Sequence, residues 1–332
     1  MKACLSKGNL FHDDIEPLTS MRKTRFDGGK SDDAIDALDK LQAGGSTAGG
    51  AGITLAYHIA QKNFMQQGNN RVIIATDGDF NIGLSSDSEM EKMISEKRKF
   101  GIYLTCLGFG MGNYKDSKLE TLADKGNGNY AYIDTEDEAK KTLVKEFGGT
   151  MHCIAKDVKL QIEFNPAKVQ AYRLIGYENR LLNNEDFSDD TKDAGEMGAG
   201  HTVTALYEII PNGVKSDFIK QVDSLKYQKT IVKSSDKEGK ELATVKLRYK
   251  LPERFKSTKL SLPVNDSQQN IKVASDNFRF ATSVALFGML LRDSEFTGKT
   301  NYKSVIELAQ SAVGKDKNGY RAEFLSLVEK AN

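Results

Sequence analysis

Apolar residues recur along the first half of the chain in two alternating rhythms. In "SDDAIDALDKLQ" (31–42), Ala34, Ile35, Leu38 and Leu41 fall at helical spacing behind a Ser/Asp cap, which predicts a helix from near Asp32. A second helix is predicted from about Ala51 to Met65, carrying Ile53, Ala56, Ile59, Ala60 and Phe64. The period then changes, and Val72, Ile73 and Ile74 in "RVIIAT" (71–76) read as a buried strand. "SSDSEMEKMISEKRKFG" is a capped amphipathic helix closed by Gly101, and "IYLTCLGFG" is a strand apolar enough for a parallel sheet interior. A short helix in "DSKLETLADKGNG", a strand in "NYAYID" and a helix in "TEDEAKKTLVKEFGG" complete the series. Helices alternating with strands predict an α/β domain, a parallel sheet wrapped by helices, over residues 31–150. Residues 1–30 hold no sustained period and read as a disordered or remnant segment.

From about Thr150 the pattern shifts to strict alternation. "DVKLQIEFNP", "VQAYRLIGYE", "HTVTALYEIIP", "LATVKLRYKL" and "TKLSLPV" each set apolar against polar positions, as antiparallel strands do. Helices are predicted near 275–292, 302–313 and 319–330, so residues 151–332 form a β-rich α+β domain with a helical end. Between the strands, "NNEDFSDDTKDAGEMGAG" (183–200) reads as a solvated acidic loop. Its Asp186, Asp189, Asp190 and Asp193 lack the spacing of a calcium loop. The domain boundary falls between Gly148 and Asp157.

Composition narrows the classes. At 332 residues, two domains are expected. Charge is balanced at 47 basic against 46 acidic residues, which gives no bulk attraction to nucleic acid or an anionic membrane. The best apolar run, "FATSVALFGMLL" (280–291), is about a dozen residues, short of the roughly 20 that a spanning helix needs. The N-terminus lacks the apolar core of an export signal. Cys4, Cys106 and Cys153 are odd in number and lack metal-ligand spacing, so no disulfide framework is implied, and Cys106 in its apolar run reads as a buried thiol. His58, His152 and His201 form no metal pair in sequence, and His201 reads as packing at a strand entry.

Two stretches carry candidate chemistry. "RVIIATDGD" ends a core strand on Asp77, Gly78 and Asp79, where a desolvated carboxylate needs a cation or hydrogen bonds. Ligands of parallel sheets gather beyond the carboxyl ends of the strands, where Asp77 falls. The glycine-rich loop "GGSTAGGAG" (44–52) is neither a Walker loop, lacking Gly-Lys-Ser/Thr, nor a Gly-x-Ser-x-Gly elbow. A third reading remains: its glycines let a hydroxyl of Ser46 or Thr47 approach a metal shared with Asp77. Neutral hydroxyls and a carboxylate suit Mg²⁺, which takes oxygen ligands and keeps several waters. Asp77-Gly78-Asp79 also suits a strand-ending turn, and Ser46 and Thr47 also suit helix caps. Asn113 and Tyr114, after the next strand, would rim the same edge.

The chain resembles the von Willebrand factor type A (VWA) family, and more closely bacterial envelope proteins that join such a domain to a C-terminal domain of unknown function. The likeness is carried by "ALDKLQAGGSTAGGAGITLAY", "NNRVIIATDGDFNIG", "LGFGMGNYKDSKLETLADKGNGNYAYID" and "EFGGT". It continues through "FNPAKVQAYRLIGYENRLLNNEDF" and "DAGEMGAGHTVTALYEI". The resemblance implies a Rossmann-like, doubly wound domain with a metal-ion-dependent adhesion site. Its second-loop threonine falls on Thr47, with Ser46 beside it, and its third-loop aspartate on Asp77. It further implies a non-enzymatic protein-binding module whose protein ligand offers a carboxylate to the ion, in the cell envelope or periplasm. The family's first loop, Asp-x-Ser-x-Ser, is absent from the sequence. The chain therefore reads as N-terminally truncated or as starting at an internal methionine, the VWA domain as partial, and Mg²⁺ binding as weak or absent. A strand missing from the sheet centre would leave unpaired edges. The alternatives are a nucleotide-binding α/β enzyme using residues 44–52 for phosphate, and an inactive gene fragment.

Overall fold

The computed structural model describes residues 3–6, 9–12, 49–66, 68–76, 87–110, 116–151, 153–219, 239–252, 254–267 and 269–332. The chain divides into two compact units. The first comprises Met1–Val158, Asp193–His201 and Tyr249–Ser257, and the second Lys159–Lys192, Thr202–Arg248 and Thr258–Asn332.

The first unit is built on a sheet of order β2-β1-β3-β4-β5, with β1 Ala3–Ser6, β2 Asn9–His12, β3 Asn70–Thr76, β4 Ile102–Phe109 and β5 Tyr130–Ile133. β3, β4 and β5 run parallel, with Val72 opposite Leu104 and Cys106 opposite Tyr130. The parallel α/β architecture expected from the helix–strand alternation is present. Its helices are α1 Gly49–Lys62, α2 Asp87–Lys99 and α3 Asp116–Lys125. Their apolar stripes bring Ile53, Tyr57, Ile94, Leu119 and Leu122 onto Val72, Ile74, Ile102 and Leu104, all nearly inaccessible to solvent. Burying each such aliphatic side chain contributes about 1.5–3 kcal/mol. Cys106 is a buried thiol in this core and forms no disulfide.

The N-terminal segment departs from its reading as disordered or remnant. β1 and β2 form an antiparallel hairpin, and β1 lies antiparallel to β3 with Cys4 opposite Ile74. The edge of β3 expected to stand unpaired is thus taken by β1. Strands this short have no room for a readable period, and an open row of donors and acceptors on β3 is a template for any extended neighbour. The helix expected over 31–42 lies outside the described residues.

Two glycines set how closely the α3–β5 turn approaches β4. Gly126 N–H closes α3 on the Leu122 carbonyl at 3.0 Å. Two residues on, a Cβ at Gly128 would meet the Leu104 carbonyl oxygen at 1.5 Å, so only glycine fits. After β5 come α4 Glu136–Lys140, a π-helical turn Lys141–Lys145 and α5 Phe147–Met151. The chain then enters β6 Cys153–Phe164, whose first half pairs antiparallel with β8 Gly195–Gly198. That strand falls inside the stretch read as an acidic loop.

The second unit holds the remainder of β6, the antiparallel pair β7 Val169–Ile175 and β9 Leu206–Pro211, all but the last two residues of β10 Glu241–Lys250, and β11 Thr258–Asn265, ordered β11-β10-β6. Phe164 of β6 stacks against Tyr172 of β7 at 4.4 Å between ring centroids. The helices are α6 Asp276–Leu291, α7 Tyr302–Gln310 and α8 Tyr320–Ala331. Asn301 and Ser304 form a capping box at α7, and Phe287 of α6 meets Phe324 of α8 edge-on at 5.6 Å. The β-rich unit with C-terminal helices agrees with the sequence reading.

The acidic stretch is organised rather than merely solvated. Lys159 is 2% exposed, and its ammonium donates to the carbonyls of Asp186 at 3.0 Å and Asp189 at 2.6 Å. Asp190 pairs with Arg248, and Arg248 lies over the Phe187 ring. A buried cation needs oxygen partners, and the loop supplies them from its backbone.

Candidate functional site

The carboxyl end of β3 is fixed by burial. Val72, Ile74 and Thr76 point inward, and Thr76 is fully buried at the last position before Asp77. β4 ends beside it, with Thr76 opposite Gly108 and the chain turning out at Gly110 with φ +86°. Tyr132 of β5 donates its hydroxyl to the Gly110 carbonyl, which ties that turn to the third strand. α1 begins at Gly49, two residues after Thr47, and Thr54 donates to the Gly50 carbonyl at 2.8 Å in its first turn. The link from α1 to β3 is short and closed by Asn70, which donates to the Met65 carbonyl at 2.8 Å. A helix joined so briefly to the strand it packs on runs back along it, so the start of α1 and the end of β3 share one end of the sheet.

Every residue assigned to the metal site or its rim, namely Ser46, Thr47, Asp77, Gly78, Asp79, Asn113 and Tyr114, lies outside the described residues. What is described is the frame to which they are covalently attached: Thr76 before Asp77, Gly49 after Thr47, and Gly110 and Asp116 on either side of Asn113 and Tyr114. Among the described residues, no group of three or more His, Cys, Asp or Glu side chains is placed to hold a metal. The donor set of Ser46, Thr47 and Asp77 is of the hard-oxygen kind that Mg²⁺ takes, with one carboxylate and waters completing the shell. Among the described residues, no helix is long and apolar enough to cross a membrane.

A second polar site lies within the first unit, at the opposite ends of the same strands, and the sequence reading missed it. Arg71 of β3 and Tyr103 of β4 stand side by side in the parallel register, and Arg71 Nη1 donates to Thr105 Oγ1 at 2.7 Å. They line a narrow cleft with Asn127, Cys153 and Glu196. The Cys153 thiol donates to Glu196 Oε2 at 2.9 Å, and Asn127 Nδ2 donates to Glu196 Oε1 at 3.0 Å. Asn127 adopts φ +48° and accepts in turn from Arg98, whose Nη1 also pairs with Asp193 at 2.6 Å. His201, read as strand-entry packing, is exposed and opens onto this cleft.

Burial dominates the electrostatics there. It pushes the Glu196 carboxyl up to about 7, with Asp157 and Asp193 adding repulsion. It pushes the Cys153 thiol and the Tyr103 hydroxyl up to about 12, so both stay neutral donors at ordinary pH. The same desolvation lowers Arg71 from its usual value. One signal was legible beforehand: Arg71 is a cation opening an otherwise apolar strand. Nothing local pointed to Cys153 or Glu196, which meet only through the pairing of β6 with β8.

Comparison with known proteins agrees with this architecture. Residues 10–146 match the von Willebrand factor type A domain, and residues 149–332 match the family described as "Uncharacterized protein YfbK, C-terminal". The chain is 43% identical over 296 residues to "Uncharacterized protein YfbK" of Escherichia coli (strain K12), across 89% of this chain and 50% of that protein. It thus spans about half the length of that curated relative. Among solved structures, it is similar to a von Willebrand factor type A protein from Catenulispora acidiphila at 15% identity, covering 87% of this chain and 65% of that one, with a TM-score of 0.40. It is also similar to the conserved hypothetical protein BatB from Bacteroides thetaiotaomicron at 20% identity, covering 35% of this chain and 68% of that one, with a TM-score of 0.28. The chain belongs to the YfbK C-terminal family, with a von Willebrand factor type A domain preceding the family's own domain.

Proposed function

We propose that this chain is a protein-binding module whose VWA domain engages a partner at the carboxyl edge of its parallel sheet, with a metal ion assisting. VWA domains commonly mediate protein interactions, and they often bind a metal at such a site. One observation carries the reading to this edge: β3 and β4 end level, Thr76 opposite Gly108, with Asp77 next in the chain. Thr47 and Ser46 precede α1 in the chain, separated from it by Ala48, and α1 returns to that end. In this reading the Asp77 carboxylate and the Thr47 hydroxyl hold Mg²⁺, Ser46 lies beside them, and Gly78, Asp79, Asn113 and Tyr114 form the rim. A bound Mg²⁺ would supply Lewis acidity toward a partner's carboxylate. No residue is assigned a catalytic role.

With ligands limited to hydroxyls and one carboxylate, Mg²⁺ binding should be weak, because few negative charges offset the ion's desolvation. The test is calorimetric titration of Mg²⁺ into the chain, the Asp77→Ala variant and the Thr47→Ala variant. Binding of the unaltered chain that is lost in both variants is the expected result. Equal heats from all three would remove the metal from the reading, and capture of a candidate partner unchanged by EDTA would do the same. The competing reading, phosphate held by residues 44–52, is distinguished by titrating ATP and NAD, for which no saturable heat is expected.

A further inference from the structure

The cleft at the amino ends of β3 and β4 contains a half-buried cation, Arg71, whose guanidinium lies over the Tyr103 ring at 5.6 Å from its centroid. The Arg71 guanidinium donates through Nη1 to a neutral hydroxyl, Thr105 Oγ1. Its Nε is buried and finds no hydrogen-bond partner among the described residues. No carboxylate among the described residues forms an ion pair with it. The nearby acids are committed elsewhere: Asp157 to Lys250 at 2.6 Å, and Asp193 to Arg98 at 2.6 Å. Glu196 faces the same cleft, but its two oxygens are taken by the Cys153 thiol and the Asn127 amide. A desolvated guanidinium without an anion is costly, and a buried donor with no protein partner in a cleft is one that an incoming acceptor can satisfy.

The geometry points to a small free carboxylate as that ligand, bound by Arg71 in the cleft beside Tyr103 and accepted only while Glu196 is in its acid form. A carboxylate is planar, carries one negative charge and is the natural partner of a guanidinium. A phosphate dianion fits less well, because Asp157 and Asp193 also face Glu196 and oppose further negative charge. The neutral Tyr103 hydroxyl and the Glu196 acid proton supply donors to the incoming oxygen atoms. Lys156 of β6 lowers the charge burden on Glu196, and Lys125 faces Asp193. With Glu196 ionised, Arg71 already has a counter-charge across the cleft and a second anion is repelled. Carboxylate uptake is therefore coupled to a proton on Glu196. The site lies at the strand ends opposite the metal edge, so neither reading depends on the other.

The test titrates acetate into the full chain at constant ionic strength, exchanged against chloride, and follows amide shifts at pH 6 and pH 8. Affinity at pH 8 should be about tenfold weaker, since binding loses about tenfold per pH unit once Glu196 is ionised. Glu196→Gln should bind acetate equally at both pH values, and Arg71→Gln should lose binding at both. Inorganic phosphate should not displace acetate. Absence of saturable acetate binding at pH 6 overturns the proposal. So does binding retained by Arg71→Gln, which would mark an adventitious ion only, or phosphate binding tighter than acetate. If Arg71→Gln does not fold, the pH independence of Glu196→Gln decides, because a site not governed by that proton keeps the wild-type profile.

Discussion

The Cys153 thiol donates to Glu196 Oε2 at 2.9 Å, fastening the first residue of β6 to the middle of β8, and the other oxygen of the same carboxyl is held by Asn127. Residues far apart in the chain thereby share one buried carboxyl whose proton is poised near neutrality. Several measurable consequences follow from this group and from the loop around Lys159.

Glu196 makes stability fall as pH rises. Its folded pKa is raised from 4.5 to about 7, so between those values the native state holds a proton that the unfolded state has released. The stabilising contribution of the neutral acid is fully present below about 4.5 and is lost as pH climbs through 7. The shift corresponds to about 3 kcal/mol at roughly 1.4 kcal/mol per unit. Urea midpoints measured from pH 4.5 to 8 should decline for the wild type and flatten over that window for Glu196→Gln. A wild-type profile that rises through the window would contradict the raised value.

Asn127 should tolerate glycine better than alanine. Its φ of +48° costs an ordinary side chain about 1 kcal/mol, and its amide bonds both Arg98 and Glu196. Asn127→Ala loses those bonds and keeps the strain, for a loss of about 2–3 kcal/mol. Asn127→Gly loses the bonds alone and should be less destabilised by about 1 kcal/mol. Denaturant unfolding of the two variants gives the difference directly.

Lys159→Met retains most of the side chain's volume and removes its charge. The carbonyls of Asp186 and Asp189 then lose their donor in a dry setting, which should cost about 2–3 kcal/mol. Faster amide exchange should appear across residues 186–190. Unchanged exchange there would mean that the loop holds its shape without the ammonium.

Gly128→Ala should be among the most damaging single-methyl additions in the first unit. The added carbon would sit 1.5 Å from the Leu104 carbonyl oxygen, which belongs to strand backbone and cannot swing aside. A loss above about 3 kcal/mol, or failure to accumulate folded protein, is expected from overpacking against backbone. Gly176→Ala provides the control, since no atom lies within 4 Å of its added carbon, although its φ of +76° carries a smaller backbone cost of its own.

The elements easiest to read were those whose signal is local. β3 and β4 announced themselves by uninterrupted β-branched and apolar runs, and α2 by its period and by Gly101, which takes φ +81° just past its end. The short strands β1 and β8 were missed for the opposite reason, since neither carries enough residues to display alternation. In β6 the alternation was read correctly but its outcome was not. Lys159 is buried while Leu160 beside it is 47% exposed, because a loop from elsewhere in the chain brings oxygen atoms to the ammonium. The metal-site residues rest on sequence pattern, and the structure contributes the strand ends that carry them.

The sequence by itself determined the order and kind of the main elements and the change from a parallel to an antiparallel architecture near Thr150. Side-chain periodicity, caps and glycine stops act over a few residues and are written where they act. Tertiary structure alone decided that β1 closes the edge of β3, that Lys159 is enclosed, and that Asn127, Cys153 and Glu196 meet beside Arg71. Those outcomes depend on which distant backbone groups find each other, and once found, the loss of water fixes the charges of the side chains between them.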